Sequence, residues 1–383
     1  MPIGLLHTVL HLALAALSTS GGGQGDDARA TPVPRCPAPP VDTPIEGTAT
    51  ARLDVRWVLG PDGMATAAPI AVRVPPGTLS AMVALEADGR PVRLARVTSG
   101  SDDVGPLDTF ARPVASLHLA ERDIDRAGPC LVVTPAPVRA SADVHGALHV
   151  VVRRGVSTRS VVRVRPVLVG DAGIDPADLD AAMAHAAGIY ASDDLRIEVA
   201  EPLHIPGFDG PVRLLGASSA TLRALPLGLR DGTVPIFVVD TLARPDILGA
   251  AGGAPGPGAL PHTPASGVIV SVAAHRASDA VPVHTTLLGE TIAHELGHQL
   301  GLAHTTESDG HAHDPLDDTP TCDATRDDDR DGQLTTAECR AHGADNLMFW
   351  TAGADVRQTT LTRAQRRWIR DGIVARPDPL PAP

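Results

Sequence analysis

The chain has 383 residues, 43% of them hydrophobic but only 2% aromatic, so it can form two or three domains with cores built on Val, Leu, Ala and Ile. With 37 glycines and 36 prolines it should turn often and carry few long helices. A net charge of -13 argues against nucleic acid as a partner, because phosphate binding needs a basic patch.

Residues 1–20 read as a secretory signal peptide: an apolar run from Ile3 to Leu17 is followed by Ser18, Thr19, Ser20 and Gly21, although the start carries no Lys or Arg. The run is too short to span a bilayer, and no other apolar run is long enough to cross one. The expected mature protein is secreted, extracellular and free of membrane spans. Residues 21–49 are rich in Gly, Pro and Asp and read as a flexible lead-in.

Residues 50–158 alternate apolar and polar side chains in short runs: Ala51–Val58, Ile70–Val74, Met82–Glu86, Ala115–Leu119, Cys130–Val133 and Ala147–Val152. Pro/Gly turns separate them, the pattern of a β-sandwich-like N-terminal domain. Nothing in it has catalytic spacing, so it reads as a scaffold or a prodomain.

From residue 159 to 375 the pattern changes to that of a second domain. Val161–Val169 reads as a strand. Asp175 and Pro176 suit the N-cap and first position of a helix whose buried face is Leu179, Ala182, Met183, Ala186 and Ile189. Strands are expected at Leu195–Val199, Val234–Asp240 and Gly267–Val272, with a Gly/Pro-rich loop over 245–266. A helix over about 282–300 follows, and 376–383 is a Pro-rich tail.

That helix carries His294-Glu295-Leu296-Gly297-His298-Gln299-Leu300-Gly301-Leu302-Ala303-His304, or H-E-x-x-H-x-x-G-x-x-H. Histidines at i and i+4 lie on one helix face and reach one ion. Gly301 can take positive φ and turn the chain back, bringing His304 round as a third nitrogen ligand. Three protein ligands with one open position describe a catalytic rather than a structural zinc site. Zinc would lower the pKa of its water to about 7, and Glu295 would act as general base and then return the proton to the leaving amine.

Further on, Asp327-Asp328-Asp329-Arg330-Asp331-Gly332-Gln333-Leu334-Thr335-Thr336-Ala337-Glu338 matches an EF-hand loop over 327–338. Asp327, Asp329, Asp331, Gln333 and Glu338 are the candidate calcium ligands. No clear helix precedes the loop. Of the four cysteines, Cys322 and Cys339 bracket it and are the expected disulfide, which leaves Cys36 and Cys130 to each other.

The histidine motif resembles the signature of the metzincin zinc endopeptidases. Asp317-Asp318-Thr319-Pro320, the cysteine pair, Asn346-Leu347-Met348 and Leu361-Thr362-Arg363-Ala364-Gln365 follow it in the order found in the pappalysin (cytophagalysin-like) branch. The resemblance covers roughly residues 160–372. It implies an α+β fold class: a metzincin-like catalytic domain with a twisted mixed sheet, a zinc helix and a small lower subdomain, preceded by the sandwich. It places Met348 in a Met-turn (about 346–350) beneath the metal, and gives Trp350 the position where some members carry a tyrosine. It also makes Val268–Val272 the cleft edge that pairs with extended substrate, and it implies calcium near the D-T-P segment. Pro34-Arg35-Cys36-Pro37 resembles the cysteine switch of matrix metalloproteinases, so a switch thiol stands as the alternative to a Cys36–Cys130 disulfide. The expected function is a secreted zinc-dependent endopeptidase acting on protein or peptide. The alternative is a catalytically inactive binding protein that retains the fold.

Overall fold

The structure, a computed structural model, describes residues 36, 41–42, 48–88, 90–99, 102–104, 114–121, 124, 130–155, 157–206, 211–212, 232–253, 256, 260, 263, 266–278, 281–353 and 356–378. The expected signal peptide lies outside them, as does most of the lead-in.

Two antiparallel sheets form from the first 155 residues. One contains β1 (Val41–Asp42), β2 (Thr48–Leu59), β3 (Met64–Thr66), β5 (Thr78–Ala87), β8 (Val114–Ala120), β10 (Val138–Arg139) and β11 (Val144–Arg154), in the order β10-β3-β2-β11-β5-β8 with β1 beside β2. The other contains β4 (Ile70–Arg73), β6 (Leu94–Ser99), β7 (Asp102–Asp103) and β9 (Cys130–Pro135), in the order β4-β9-β6-β7. Their facing side chains, among them Trp57, Val83, Leu85, Leu117, Leu131, Val133 and Leu148, make one core. Trp57 also donates its indole N–H to the Ala136 carbonyl at 3.1 Å, which satisfies its polar atom in the dry interior.

Strand β5 is apolar on both faces, and alternation explains why. Ala81, Val83 and Leu85 point into the sandwich core. Met82 and Ala84 point the other way and pack with Val114, Val151 and Ile373. The outer face of this sheet is therefore covered by the far end of the chain.

The third sheet contains β12 (Ser160–Val169), β13 (Leu195–Val199), β14 (Leu203–Ile205), β15 (Val234–Val239), β16 (Gly249–Ala251), β17 (Val268–Ser271) and β18 (Arg376–Pro377). Its main order is β13-β12-β15-β17-β16, with β14 and β18 also pairing β12. Strands β12, β13, β14, β15 and β17 are parallel, while β16 and β18 run antiparallel to their partners. Parallel strands covered on both faces need continuous apolar runs, and Val234–Val239 is buried throughout. Helices α1 (Pro176–Tyr190) and α2 (Thr285–Gln299) cover one face, and Val212, Leu242 and Ile247 pack on the other. A last helix, α3 (Arg363–Asp371), starts with a capping box between Thr362 and Gln365.

The fold class implied by the resemblance needs correcting. The chain is sheet-rich: eighteen strands in three sheets stand against three α-helices among the described residues, and two of the sheets are wholly antiparallel. It is not a metzincin-like α+β fold organised on a zinc helix. The physical cause is visible in the sequence: short Val-rich runs, punctuated by Gly and Pro, favour strands and leave few stretches long enough for a helix.

Smaller differences follow local chemistry. Helix α2 begins at Thr285, not 282, because His284 Nδ1 accepts the Leu287 N–H at 3.1 Å and caps it there. Asp175 stands at the N-cap of α1 but makes no side-chain cap bond. The expected tail contributes β18, and the expected loop over 245–266 contains β16. No helix among the described residues is long and apolar enough to cross a membrane.

Candidate metal centre

Helix α2 brings His294 and His298 to one face, one turn apart, and both are buried. The helix ends at a reversal. Gly301 adopts φ 102°, a conformation that costs an L side chain but not glycine. Its N–H and that of Leu302 then bond back to His298 and Gly297, both at 2.9 Å. The reversal swings His304 in beside the other two.

The three rings converge. His298 Nε2 lies 3.1 Å from His294 Nε2 and 3.0 Å from His304 Nε2. Each Nδ1 faces an acceptor: that of His294 the Leu347 carbonyl at 2.6 Å, that of His298 the Leu302 carbonyl at 2.9 Å, and that of His304 both carboxylate oxygens of Glu307 at 3.2 Å. Acceptors at Nδ1 hold the proton there and turn the Nε2 lone pairs toward one point. Lone pairs so close repel unless a proton or a cation lies among them. Zn–N bonds of ~2.0–2.1 Å in a tetrahedral site put nitrogens about 3.3 Å apart. The residues therefore fit a metal, and His294, His298 and His304 form a group able to hold one.

Glu295 is buried beside this group, with β16 across from it. Burial pushes its carboxyl up to about 8, against a hydrogen bond from the Ala251 backbone that favours the charged form. A cation at the histidines would draw it down again. Gly249 is needed here, since a Cβ would come within 3.0 Å of the Glu295 Cγ.

Met348 is fully buried against α2, and a Cβ at Gly297 would overlap its sulfur. Its carbonyl accepts the Thr305 N–H at 2.9 Å, next to the third histidine. The Tyr190 hydroxyl, also beside Gly297, donates to the Ala293 carbonyl at 2.6 Å, and burial pushes its pKa up. Trp350 lines a cavity with His294 and Glu295 and donates its indole N–H to the Leu334 carbonyl at 2.7 Å.

In the acidic loop, oxygens of Asp327, Asp329 and Glu338 lie within 4.8 Å of one another. Asp331 is not in that group, and its Oδ1 accepts the Gln333 N–H at 2.8 Å. Gly332 and Arg330 take positive φ, and Gly332 N–H bonds to Asp327 Oδ2 at 2.9 Å. Asp327 Oδ1 is buried with no hydrogen-bond partner. Only a short 3₁₀ turn, Ala324–Arg326, precedes the loop. Leu334 N–H bonds to the Ser308 carbonyl at 2.8 Å, which ties the loop to the residue after Glu307.

Cys322 pairs with Cys339 and Cys36 with Cys130, so no cysteine is free and the switch-thiol alternative falls. Two disulfides suit an oxidising, extracellular compartment. The substrate-edge role given to Val268–Val272 also needs correcting: β16 already pairs antiparallel with β17, from Ala251↔Val268 to Gly249↔Val270. The strand was hidden because Gly-Ala-Ala has no strand pattern. Glu307, the partner of His304, was equally silent, and its only trace is its place three residues downstream.

Comparison with known proteins adds little. No family model matches the chain, and no curated protein matches it. Among solved structures, metalloproteinase-II from Bacteroides fragilis is similar at a TM-score of 0.32 and 13% identity, over 59% of this chain and 61% of that one. A chaperone–substrate complex is similar at 0.28 and 10%, over 46% and 29%. A family two carbohydrate esterase from Cellvibrio japonicus is similar at 0.17 and 11%, over 41% and 53%. The chain thus spans less than two thirds of each of these proteins. Overlaps this loose leave the reading of the site to its own residues.

Proposed function

We propose that the chain is a secreted zinc-dependent endopeptidase, with residues 159–375 carrying the chemistry. The observation that carries this reading is the convergence of three Nε2 atoms, each with its Nδ1 facing an acceptor, beside a buried carboxyl. His294, His298 and His304 would hold the zinc. When bound, zinc supplies a Lewis acid for the scissile carbonyl and lowers the pKa of water at the site.

The chain's own groups do the rest. Glu295 takes the proton of the attacking water on its carboxylate and passes it to the leaving amine. Its buried position keeps that proton from bulk solvent. Leu347 and Leu302, through their carbonyls, and Glu307 fix the imidazole orientations. Met348 gives the site a rigid apolar floor. With β17 covered, the sheet edge beside Glu295 is β16, and an extended peptide would pair there.

Calcium is the proposed ion for the acidic loop, with Asp327, Asp329 and Glu338 as side-chain ligands. The buried, unpartnered Asp327 Oδ1 supports this. Its role would be structural, stiffening the segment between His304 and Met348.

Casein hydrolysis tests the enzyme reading. Activity should vanish on dialysis against a chelator and return on adding one equivalent of zinc. Hydrolysis that survives metal removal would overturn it.

A further inference from the structure

We infer that the N-terminal β-rich region is a permanent part of the metal centre and not a removable prodomain, with His118 on β8 as its positioning residue. This rests on the metal site proposed above.

The contact begins at the turn that delivers the third ligand. A Cβ at Gly301 would lie 2.8 Å from His118 Nδ1 and 2.7 Å from Trp368 Nε1. The turn is thus packed against a side chain of the first sheet and one of α3. His118 Nε2 donates to the Gly256 carbonyl at 2.9 Å, and the Gly256 N–H donates to the His298 carbonyl at 3.1 Å. Two hydrogen bonds therefore lead from the first sheet to the backbone of a ligand histidine. The second of them joins the Gly301 N–H, at 2.9 Å, on the same carbonyl near the end of α2.

The rest of the interface is built as a core. Met82, Ala84, Val114 and Val151 cover Ile373 on the outer face of the sheet. The end of α3 is capped from the same side. Arg153, itself buried, donates to the Arg370 carbonyl at 2.6 Å and the Gly372 carbonyl at 2.8 Å, and Ser80 Oγ donates to the Asp371 carbonyl at 2.7 Å. Removing the first sheet would uncover these apolar side chains and strip partners from the helix end. It would also unload the turn at Gly301.

The test is zinc affinity of the full-length chain, read by competition with a chelator of known affinity. Partners one shell behind a ligand typically change metal affinity ~10–100-fold. His118 acts one bond further back, so His118→Phe, which keeps the bulk and loses the donor, should weaken zinc binding about tenfold. His118→Gln, which keeps a donor, should recover most of it. Ser80→Ala, at the same interface but away from the turn, should stay within about twofold of wild type. Equal zinc affinity in His118→Phe and wild type would overturn the inference. So would an active species from the culture medium whose N-terminus lies beyond residue 155. A wild-type chain that binds no zinc at all would instead overturn the metal-centre reading, and this inference with it.

Discussion

Asn346 and Gln365 bind each other through two reciprocal amide hydrogen bonds, Nδ2 to Oε1 at 3.0 Å and Nε2 to Oδ1 at 3.1 Å. Both residues are buried. Gln365 Oε1 also accepts the Thr362 N–H at 2.9 Å, completing the capping box of α3. Asn346 Oδ1 accepts the Met348 N–H at 2.9 Å. One amide pair therefore ties the start of a helix to the turn whose Leu347 carbonyl orients His294.

That arrangement predicts strong coupling. Asn346→Ala or Gln365→Ala leaves the other amide buried without its partner, at ~1–3 kcal/mol for each orphaned group. Each single variant should lose ~2–4 kcal/mol in urea unfolding. The double variant should lose about 1–3 kcal/mol less than the sum. Additive losses would mean the two amides act independently.

Acid should loosen the contact between the first sheet and α2. Burial pushes the His118 imidazole down to about 4, against the Gly256 hydrogen bond. An unfolded chain titrates this ring near pH 6.5. Between about pH 4 and 6.5 the unfolded state binds more protons, so this stability is full above about 6.5 and is lost as pH falls toward 4. Asp314 works the other way, because burial raises its carboxyl to about 6 and its stabilisation is lost as pH rises through that value. Comparing melting at pH 7 and pH 4.5 in wild type and His118→Phe isolates the histidine. The acid-side loss should be smaller in the variant, and an equal loss would count against the account.

The disulfides should contribute unequally. Cys36–Cys130 spans 94 residues and Cys322–Cys339 spans 17. Loop-closure entropy gives ~3 kcal/mol for a 15-residue loop and ~4.7 for one of 100. Replacing Cys36 and Cys130 by Ser should therefore cost more in guanidinium unfolding than replacing Cys322 and Cys339. The reverse ranking would mean that the longer crosslink does not constrain the unfolded chain.

Calcium should raise the melting temperature of wild type and do so much less in Glu338→Gln, which removes a charged ligand from the Asp327 and Asp329 group. No calcium-dependent shift in wild type would leave the loop a solvated acidic turn.

Much of the local structure was legible in the sequence. The run Ala51–Val58 lies in β2 and Val234–Asp240 covers β15, which ends at Val239, because alternation and continuous apolar runs report burial on one face and on two. The histidine spacing placed three rings on one point, because a helical turn and a glycine reversal are local geometry. The sheet order was not legible, since short strands do not announce how many of them pair or in which order. Strand β16 was hidden because Gly249, Ala250 and Ala251 have no pattern, and pairing with β17 alone defines them. The Nδ1 partners were hidden as well: a backbone carbonyl at Leu347 or Leu302 is chosen by tertiary approach, not by side-chain identity. His118 sits some 180 residues before Gly301 in the chain, and no spacing rule reaches that far.

Three histidines that hold a metal, with Glu295 as the base beside it, make zinc binding and turnover separable. The most direct test measures zinc content and peptide hydrolysis together on Glu295→Gln. The variant should carry about one zinc per chain, as in wild type, with turnover reduced by a factor on the order of 10²–10⁴. Hydrolysis at near the wild-type rate by a zinc-loaded Glu295→Gln would contradict this role of Glu295.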